Sequence, residues 1–358
     1  MSEEDDKNVT NVTNVYISDS VISKSSILGE KKEPEEEIKE KPEEEIKEKP
    51  EEEIKEPRSW PATFGFGLLM GAADAVPGVS GGTIALIIGI YQKLISSIST
   101  CLDFVKDKFP SHSRSEFYST LNFLFPLACG MLCSYYVVTK ILVGPDDSPG
   151  LLREDSTGPY IFSFFFGLVL FSIREPWRYV ATPELKHYLL AVAGVLVVFI
   201  YTSINLESDS DSKVMLIVGG MLALTAMLLP GVSGALVLLT LGQYNSIAGS
   251  FHGGGLEPLM YLILGGIIGL FTFIPFMNYM ISEYIDNTMA MLAGLMCGSL
   301  ITLWPWKEDY GGDGLSPNLY LQVLEDFTFA SIFVTFLFFG GGIAASYGLK
   351  QFEAQNRS

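Results

Sequence analysis

Apolar residues along this chain gather into eight runs, at approximately 62–98, 121–143, 159–173, 188–205, 213–249, 259–281, 289–304 and 327–349, separated by short polar connections. Six of the runs, 15 to 23 residues long, are read as single spans of a hydrocarbon layer about 30 Å thick. The other two, 62–98 and 213–249, are about 37 residues long, and each is interrupted near its middle by Pro-Gly-Val-Ser-Gly. The pattern predicts an all-α polytopic membrane protein.

The interruptions have a direct structural meaning. Pro77 and Pro230 cannot donate to a helix, and they push the preceding residue out of helical geometry. Gly78 and Gly231 permit backbone angles that other residues avoid. Ser80 and Ser233 are good caps for a helix restarting there. Each long run should therefore be two short helices of about 15 residues, or ~22 Å each, joined by an irregular turn. A pair of that length falls short of a full crossing and suits a re-entrant hairpin that dips into the membrane and returns.

The two interrupted runs are also copies. Residues 77–91 read PGVSGGTIALIIGIY and residues 230–244 read PGVSGALVLLTLGQY, identical at eight of fifteen positions at an offset of 153. Gly167, Leu168 and Ser172 are echoed by Gly294, Leu295 and Ser299, and each half runs on to a Pro-Trp pair, Pro176-Trp177 and Pro305-Trp306. The expected organisation is an internal duplication, with repeat one at 60–206, repeat two at 207–350 and a C-terminal tail at 351–358.

Charge placement tests the hairpins. With an inside N-terminus, two re-entrant hairpins and six spans, nine Lys and Arg fall in inside loops and four in outside loops. That agrees with the positive-inside rule, whereas two fully crossing 37-residue runs give six against seven. Three full spans per half is an odd number, so the halves should lie upside down relative to each other. The expected fold is two inverted repeats, each a re-entrant hairpin plus three transmembrane helices. Both termini are then cytoplasmic.

Composition changes the picture only at the front. Residues 1–59 carry 10 basic and 19 acidic residues, while the remaining 299 carry 13 and 22. So sparse a charge after residue 59 excludes an ordinary soluble enzyme and a nucleic-acid binder. Within 31–57 the octad K-P-E-E-E-I-K-E recurs, with one apolar residue per repeat (Ile38, Ile46, Ile54) and a proline in each. One apolar residue in eight builds no core, so 1–59 reads as a disordered acidic tail.

Candidate chemistry centres on the two breaks. A helix beginning at each turn offers backbone N–H groups without intrahelical partners, and these bind phosphate, carboxylate or halide. Ser80, Thr83 and Ser233 add hydroxyls. The bland alternative is that Pro-Gly kinks packed helices and the small residues serve close packing. Asp74, three positions before Pro77, is an ionisable group within an apolar run and a candidate for proton or cation coupling; its bland role is to accept hydrogen bonds from nearby helix ends. Met227 takes its place in the second copy. His112, His187 and His252 fall in predicted loops and make no metal or catalytic constellation. Cys129 and Cys133 share a helix face suited to packing, and Trp177, Trp304 and Trp306 fit an interfacial belt. No catalytic group, metal or cofactor is indicated.

The run from Gly71 through Asp74, Pro77, Gly78, Ser80, Gly81, Gly82 and Thr83, then Gly89 and Tyr91, resembles the polyprenyl-phosphate transporter family of bacteria and archaea. Pro230, Gly231, Val232, Ser233 and Gly234, with Gly242 and Tyr244, are similar to its second motif. The resemblance covers about 60–350; the acidic tail has no place in it. It implies movement of an undecaprenyl or dolichyl-type phosphate carrier across the cytoplasmic membrane for recycling in envelope polymer or glycan synthesis. By motif position it places Pro77, Gly78, Ser80, Gly81, Gly82, Thr83, Pro230, Gly231, Ser233 and Gly234 at the head group. The alternatives from the residues alone are a small inorganic anion channel or exchanger, a lipid-phosphate phosphatase lacking visible catalytic groups, and a non-transporting assembly factor.

Overall fold

In a computed structural model, residues 59–106, 114–144, 150–203, 212–243, 255–310, 316–320 and 327–357 are described. The acidic repeat tail lies outside them. Twelve helices account for nearly all of this: α1 (Trp60–Asp74), α2 (Gly81–Ile87), α3 (Tyr91–Lys106), α4 (Arg114–Leu142), α5 (Gly158–Ser172), α6 (Arg174–Trp177), α7 (Leu185–Ser203), α8 (Lys213–Leu228), α9 (Gly234–Thr240), α10 (Glu257–Glu283), α11 (Ile285–Ser299) and α12 (Phe329–Arg357). Among the described residues the sole β pairing is an isolated bridge between Lys307 and Asn318.

Four helices, α4, α7, α10 and α12, are long and apolar enough to cross a membrane. Only 17–28 % of their most apolar stretches is buried within the protein, so their outer faces suit lipid. A fifth crossing is reached if the bent pair α2–α3 counts as one. The six full spans expected from the sequence are thus met in part: α5 and α11 have 15 residues each. α5 does continue through Ile173, whose backbone is helical, into α6. Together they cover 158–177, or about 30 Å. The segment expected as a C-terminal tail continues α12 as far as Arg357.

The hairpins differ from expectation in their second arm. The first arms are as long as expected, 15 residues in α1 and 16 in α8. α2 and α9, however, have seven residues each. The reason is a glycine stop. Gly89 and Gly242 take φ of 65° and 68°. The N–H of Ile90 bonds Ala85 O and that of Gly89 bonds Leu86 O; Gln243 and Gly242 repeat this on Leu238 and Leu239. This is a Schellman ending, which left-handed glycine permits. After it the chain swings by 119° into α3.

Helix directions follow from close approaches. A Cβ on Gly67 would strike Leu127 and Gly130 of α4, and one on Gly71 would strike Met131, so α1 and α4 run parallel. α3 runs back along α4: Lys93 lies 4.8 Å from the Phe123 ring centre, and Phe104 stacks on Phe117 at 3.9 Å. The chain therefore goes in along α1 and returns beside the start of α4. In the second half Gly265 faces Ile217 and Gly269 faces Met221, which makes α8 and α10 parallel too.

The remaining pairs cross between the halves. α5 lies parallel to α12, with Ser163 donating to Thr335 O at 2.7 Å and Ser172 meeting Ser346 at 2.9 Å. α7 lies parallel to α11, where Gly294 abuts Ala191 and Gly298 abuts Val198. Small residues at these crossings let backbones meet, which supplies packing where lipid offers no hydrophobic drive. The centre is α2, buried at every residue.

Candidate functional site

Both motif copies fold into the same local device. Val79 N–H bonds Val76 O at 3.1 Å across Pro77-Gly78, and Val232 N–H bonds Leu229 O at 3.3 Å across Pro230-Gly231. Gly78 and Gly231 have φ of 87° and 80°. Proline second and a positive-φ glycine third is the pattern of a type II turn. A serine in extended conformation follows and caps the next helix: Ser80 Oγ accepts from Gly82 N–H at 3.1 Å, and Ser233 Oγ from Leu236 N–H at 3.4 Å.

The two turns touch. Ser80 Oγ donates to the carbonyl of Met227 at 3.1 Å, and Thr83 Oγ1 accepts the backbone N–H of Gly231 at 3.0 Å. A Cβ on Gly82 would lie 3.1 Å from Leu228 O and 3.3 Å from Pro230 N. Ser80, Thr83 and Ser233 are all buried. Three hydroxyls from two distant stretches of sequence thus sit together inside an apolar body. Such polar groups are expensive to bury unless bonded.

Asp74 has its bland role here. Its Oδ1 accepts the Gly81 N–H at 2.6 Å, so the last residue of α1 caps the first of α2. The site is asymmetric at this point. A Cβ on Gly81 would meet Asp74 Oδ2 at 2.6 Å, and one on Gly234 would meet Met227 Cγ at the same 2.6 Å. A thioether stands where the first copy has a carboxylate, and it is a weak acceptor.

These contacts correct one expectation. The start of α2 does not present open donors: Gly81 N–H is held by Asp74, Gly82 N–H by Ser80 Oγ, and Thr83 N–H by Ser80 O at 2.9 Å. Short helices of seven residues also carry less dipole than the expected 15. An anion reaching these groups must displace partners already present.

The walls of the turns were not legible in the sequence. Gly78 packs against Thr302 and Leu303 in the bend after α11, while Gly231 packs against the α11 backbone, 2.7 Å from Met296 Cα to a built Cβ. The carbonyl of Met227 has no residue-type signature at all. Among the other candidates, His187 is not in a loop but in the first turn of α7, buried, its Nδ1 accepting from Glu184 N–H at 3.0 Å. His112 and His252 lie outside the described residues. Trp306 is buried, within a ring cluster that includes Trp304 at 5.7 Å and Phe336 at 6.1 Å. Among the described residues no group of three His, Cys, Asp or Glu could hold a metal ion.

Comparison with known proteins gives the family of the chain. A family model described as undecaprenyl phosphate translocase-like matches residues 70–312. A polyprenyl-phosphate transporter of Vibrio cholerae serotype O1 is 34% identical over 249 residues, covering 69% of this chain and 78% of that protein. A polyprenyl-phosphate transporter of Staphylococcus aureus is 28% identical over 308 residues, covering 81% of this chain and 96% of that protein. No solved structure matches the chain. The match spans both Pro-Gly turns and all the helices between them, and this multi-pass membrane protein therefore belongs to the undecaprenyl phosphate translocase-like family.

Proposed function

We propose that this protein carries a polyprenyl phosphate, of undecaprenyl or dolichyl type, across the cytoplasmic membrane so that the lipid carrier is recycled. The observation that carries the reading is the meeting of the two Pro-Gly turns through Ser80–Met227 and Thr83–Gly231. It gathers hydroxyls and backbone N–H groups at the centre of an apolar helical body, where a small anionic head needs them and a long apolar tail does not. Family membership and the names of the two relatives support the substrate class.

The proposed arrangement is two inverted repeats, about 60–206 and 207–350, with cytoplasmic termini. The parallel pairing of α1 with α4 supports hairpins that return to their starting side, because a single crossing by α1–α3 makes α1 and α4 antiparallel. The nine-to-four excess of inside Lys and Arg supports the same topology. In this reading the head group meets Ser80, Thr83 and Ser233 and the backbone of Gly81, Gly82, Gly231 and Gly234, with Pro77, Pro230 and Gly78 shaping the turns. The cross-turn bonds must open to admit it, and Asp74 is the coupling candidate. Nothing in this transport cycle calls for a catalytic group.

The test is reconstitution in liposomes with a short-chain fluorescent polyprenyl phosphate, beside a chloride-flux control. Flipping that is lost in Ser80→Ala/Ser233→Ala supports the reading. Chloride flux without lipid flipping overturns it in favour of an anion channel.

A further inference from the structure

Among the described residues, a dense charged cluster lies away from the two turns, where α5 and α6 end beside the last turns of α12. Glu175 is its floor, with a side chain only 12% exposed. Its Oε1 accepts from Arg174 Nε at 3.0 Å, and its Oε2 accepts from Arg178 NH1 at 3.4 Å and also from Lys350 Nζ. Three cations therefore share one carboxylate, an excess of two positive charges within the cluster. The cations are graded outward: Lys350 is 22% exposed, Arg174 40% and Arg178 60%. A single i,i+3 pair at a helix end is ordinary surface chemistry. Three cations drawn to one largely buried carboxylate, from both halves of the chain, need a further reason.

The donors are also only partly used. An arginine offers five N–H groups and a lysine three, and each of these cations spends one on Glu175. The Arg174 guanidinium is centred 3.5 Å from the Phe171 ring, which fixes its plane. Phe171 in turn meets Tyr347 of α12, and Trp177 meets Tyr188 at 5.2 Å. Aromatic rings beside cations at helix ends mark the level of lipid headgroups. A nearby acid, Glu184, is already paired with Lys186 at 3.0 Å.

We propose that Arg174, Arg178 and Lys350, held by Glu175, form a surface site for the phosphate of a lipid headgroup. Its ligand chemistry is a phosphate carrying one to two negative charges, gripped by fixed guanidinium forks and an ammonium. The proposal rests on the transport reading for its role: the site holds the carrier's phosphate at the membrane surface before or after it passes the two turns. Because Lys350 belongs to α12 and the arginines to the end of α5 and α6, the site is complete only while those helices are paired. A phosphate monoester on the carrier and the phosphodiester of an anionic phospholipid share this chemistry.

The experiment measures lipid binding to the full-length protein in detergent by native mass spectrometry. The probes are a short-chain polyprenyl monophosphate and, separately, phosphatidylglycerol. Arg178→Gln, the most exposed member, is expected to weaken monophosphate binding about three- to tenfold with an unchanged melting temperature. Arg174→Gln/Lys350→Gln should weaken it further, and Lys350→Arg should retain it. Weakening confined to phosphatidylglycerol keeps the phosphate site but assigns it to a bilayer lipid and overturns the carrier-docking role. Unchanged binding of both probes in Arg178→Gln and in Arg174→Gln/Lys350→Gln overturns the site. The same variants are compared in a Ser80→Ala/Ser233→Ala background, which lacks the hydroxyls of the central turns: weakening that persists there belongs to this cluster, and weakening that disappears there overturns it.

Discussion

Thr83 in the first motif copy accepts, at 3.0 Å, the backbone N–H of Gly231 in the second, 148 residues away. Valine has nearly the same shape and no acceptor. Thr83→Val therefore leaves that buried N–H unpaired, at a cost of about 1–3 kcal/mol. The expected result is a lower melting temperature in detergent for Thr83→Val and a near-normal one for Thr83→Ser. An unchanged melt in Thr83→Val shows that the bond is already open in solution.

Gly78 and Gly231 are equivalent in sequence but not in surroundings. Both have φ near +80°, so alanine is strained at either. At Gly78 the nearest obstacle is the Thr302 side chain, which can be trimmed; at Gly231 it is the α11 backbone at Met296, which cannot move alone. Gly231→Ala should lower expression and stability more than Gly78→Ala. Thr302→Ala should partly restore Gly78→Ala and do nothing for Gly231→Ala, as read by yield and monodispersity on size exclusion.

Asp74 has two separable roles. As a cap it needs only an acceptor, which asparagine keeps; alanine removes it at about 1 kcal/mol or more. As a coupling group it needs a proton, which asparagine cannot exchange. We expect Asp74→Asn to fold like the parent, with flipping that no longer responds to an imposed pH gradient, and Asp74→Ala to be less stable as well. A gradient response that survives in Asp74→Asn leaves Asp74 as a cap alone.

Lys307 lies in the connection between α11 and α12, buried, its Nζ donating to Asn318 Oδ1 at 3.2 Å and 5.0 Å from the centre of the Phe162 ring. Burial pushes its ammonium down from 10.5 to about 8. Between those values the unfolded chain holds a proton that the folded chain has lost, so stability should rise with pH from about 8 to 10.5. Below about 8 both forms are charged, and the folded protein bears the full cost, on the order of 3 kcal/mol. Lys307→Met should raise the melting temperature at pH 7 and flatten its rise above pH 8. A parent melt that is flat over that interval contradicts this.

The identities between the two motif copies turn out to be local grammar. Pro77 and Pro230 hold the second place of the turn, Gly78 and Gly231 its left-handed third place, Ser80 and Ser233 the caps, and Gly89 and Gly242 the helix stops. Each is a property of one residue's backbone or one short side chain, so it shows in sequence. The stop is the exception. Gly89 sits inside a continuous apolar run, and hydropathy does not register a glycine that ends a helix. The arm was expected to run about 15 residues and runs seven.

The burial of His187 and Trp306 is hard to read from sequence for a related reason. Both lie near the polar edge of an apolar run, where composition suggests exposure, and both are buried; Trp306 meets Phe336 of α12, far along the chain. Asp74 is the contrasting case: its partner is a helix-end N–H only seven residues on, within reach of a local reading.

By itself the sequence determined that this is a helical membrane protein, that two of its apolar runs break at Pro-Gly, and that serine caps restart the helices. Those features depend on hydropathy and on backbone freedom within a few residues. Only the tertiary structure decided that the two breaks close on each other, that α5 pairs with α12 and α7 with α11, and that Asp74 bonds the Gly81 N–H while Met227 packs on Gly234. Such contacts join backbone atoms and small side chains far apart in the chain. A carbonyl oxygen or a glycine face looks the same in every sequence, and only packing says what it meets.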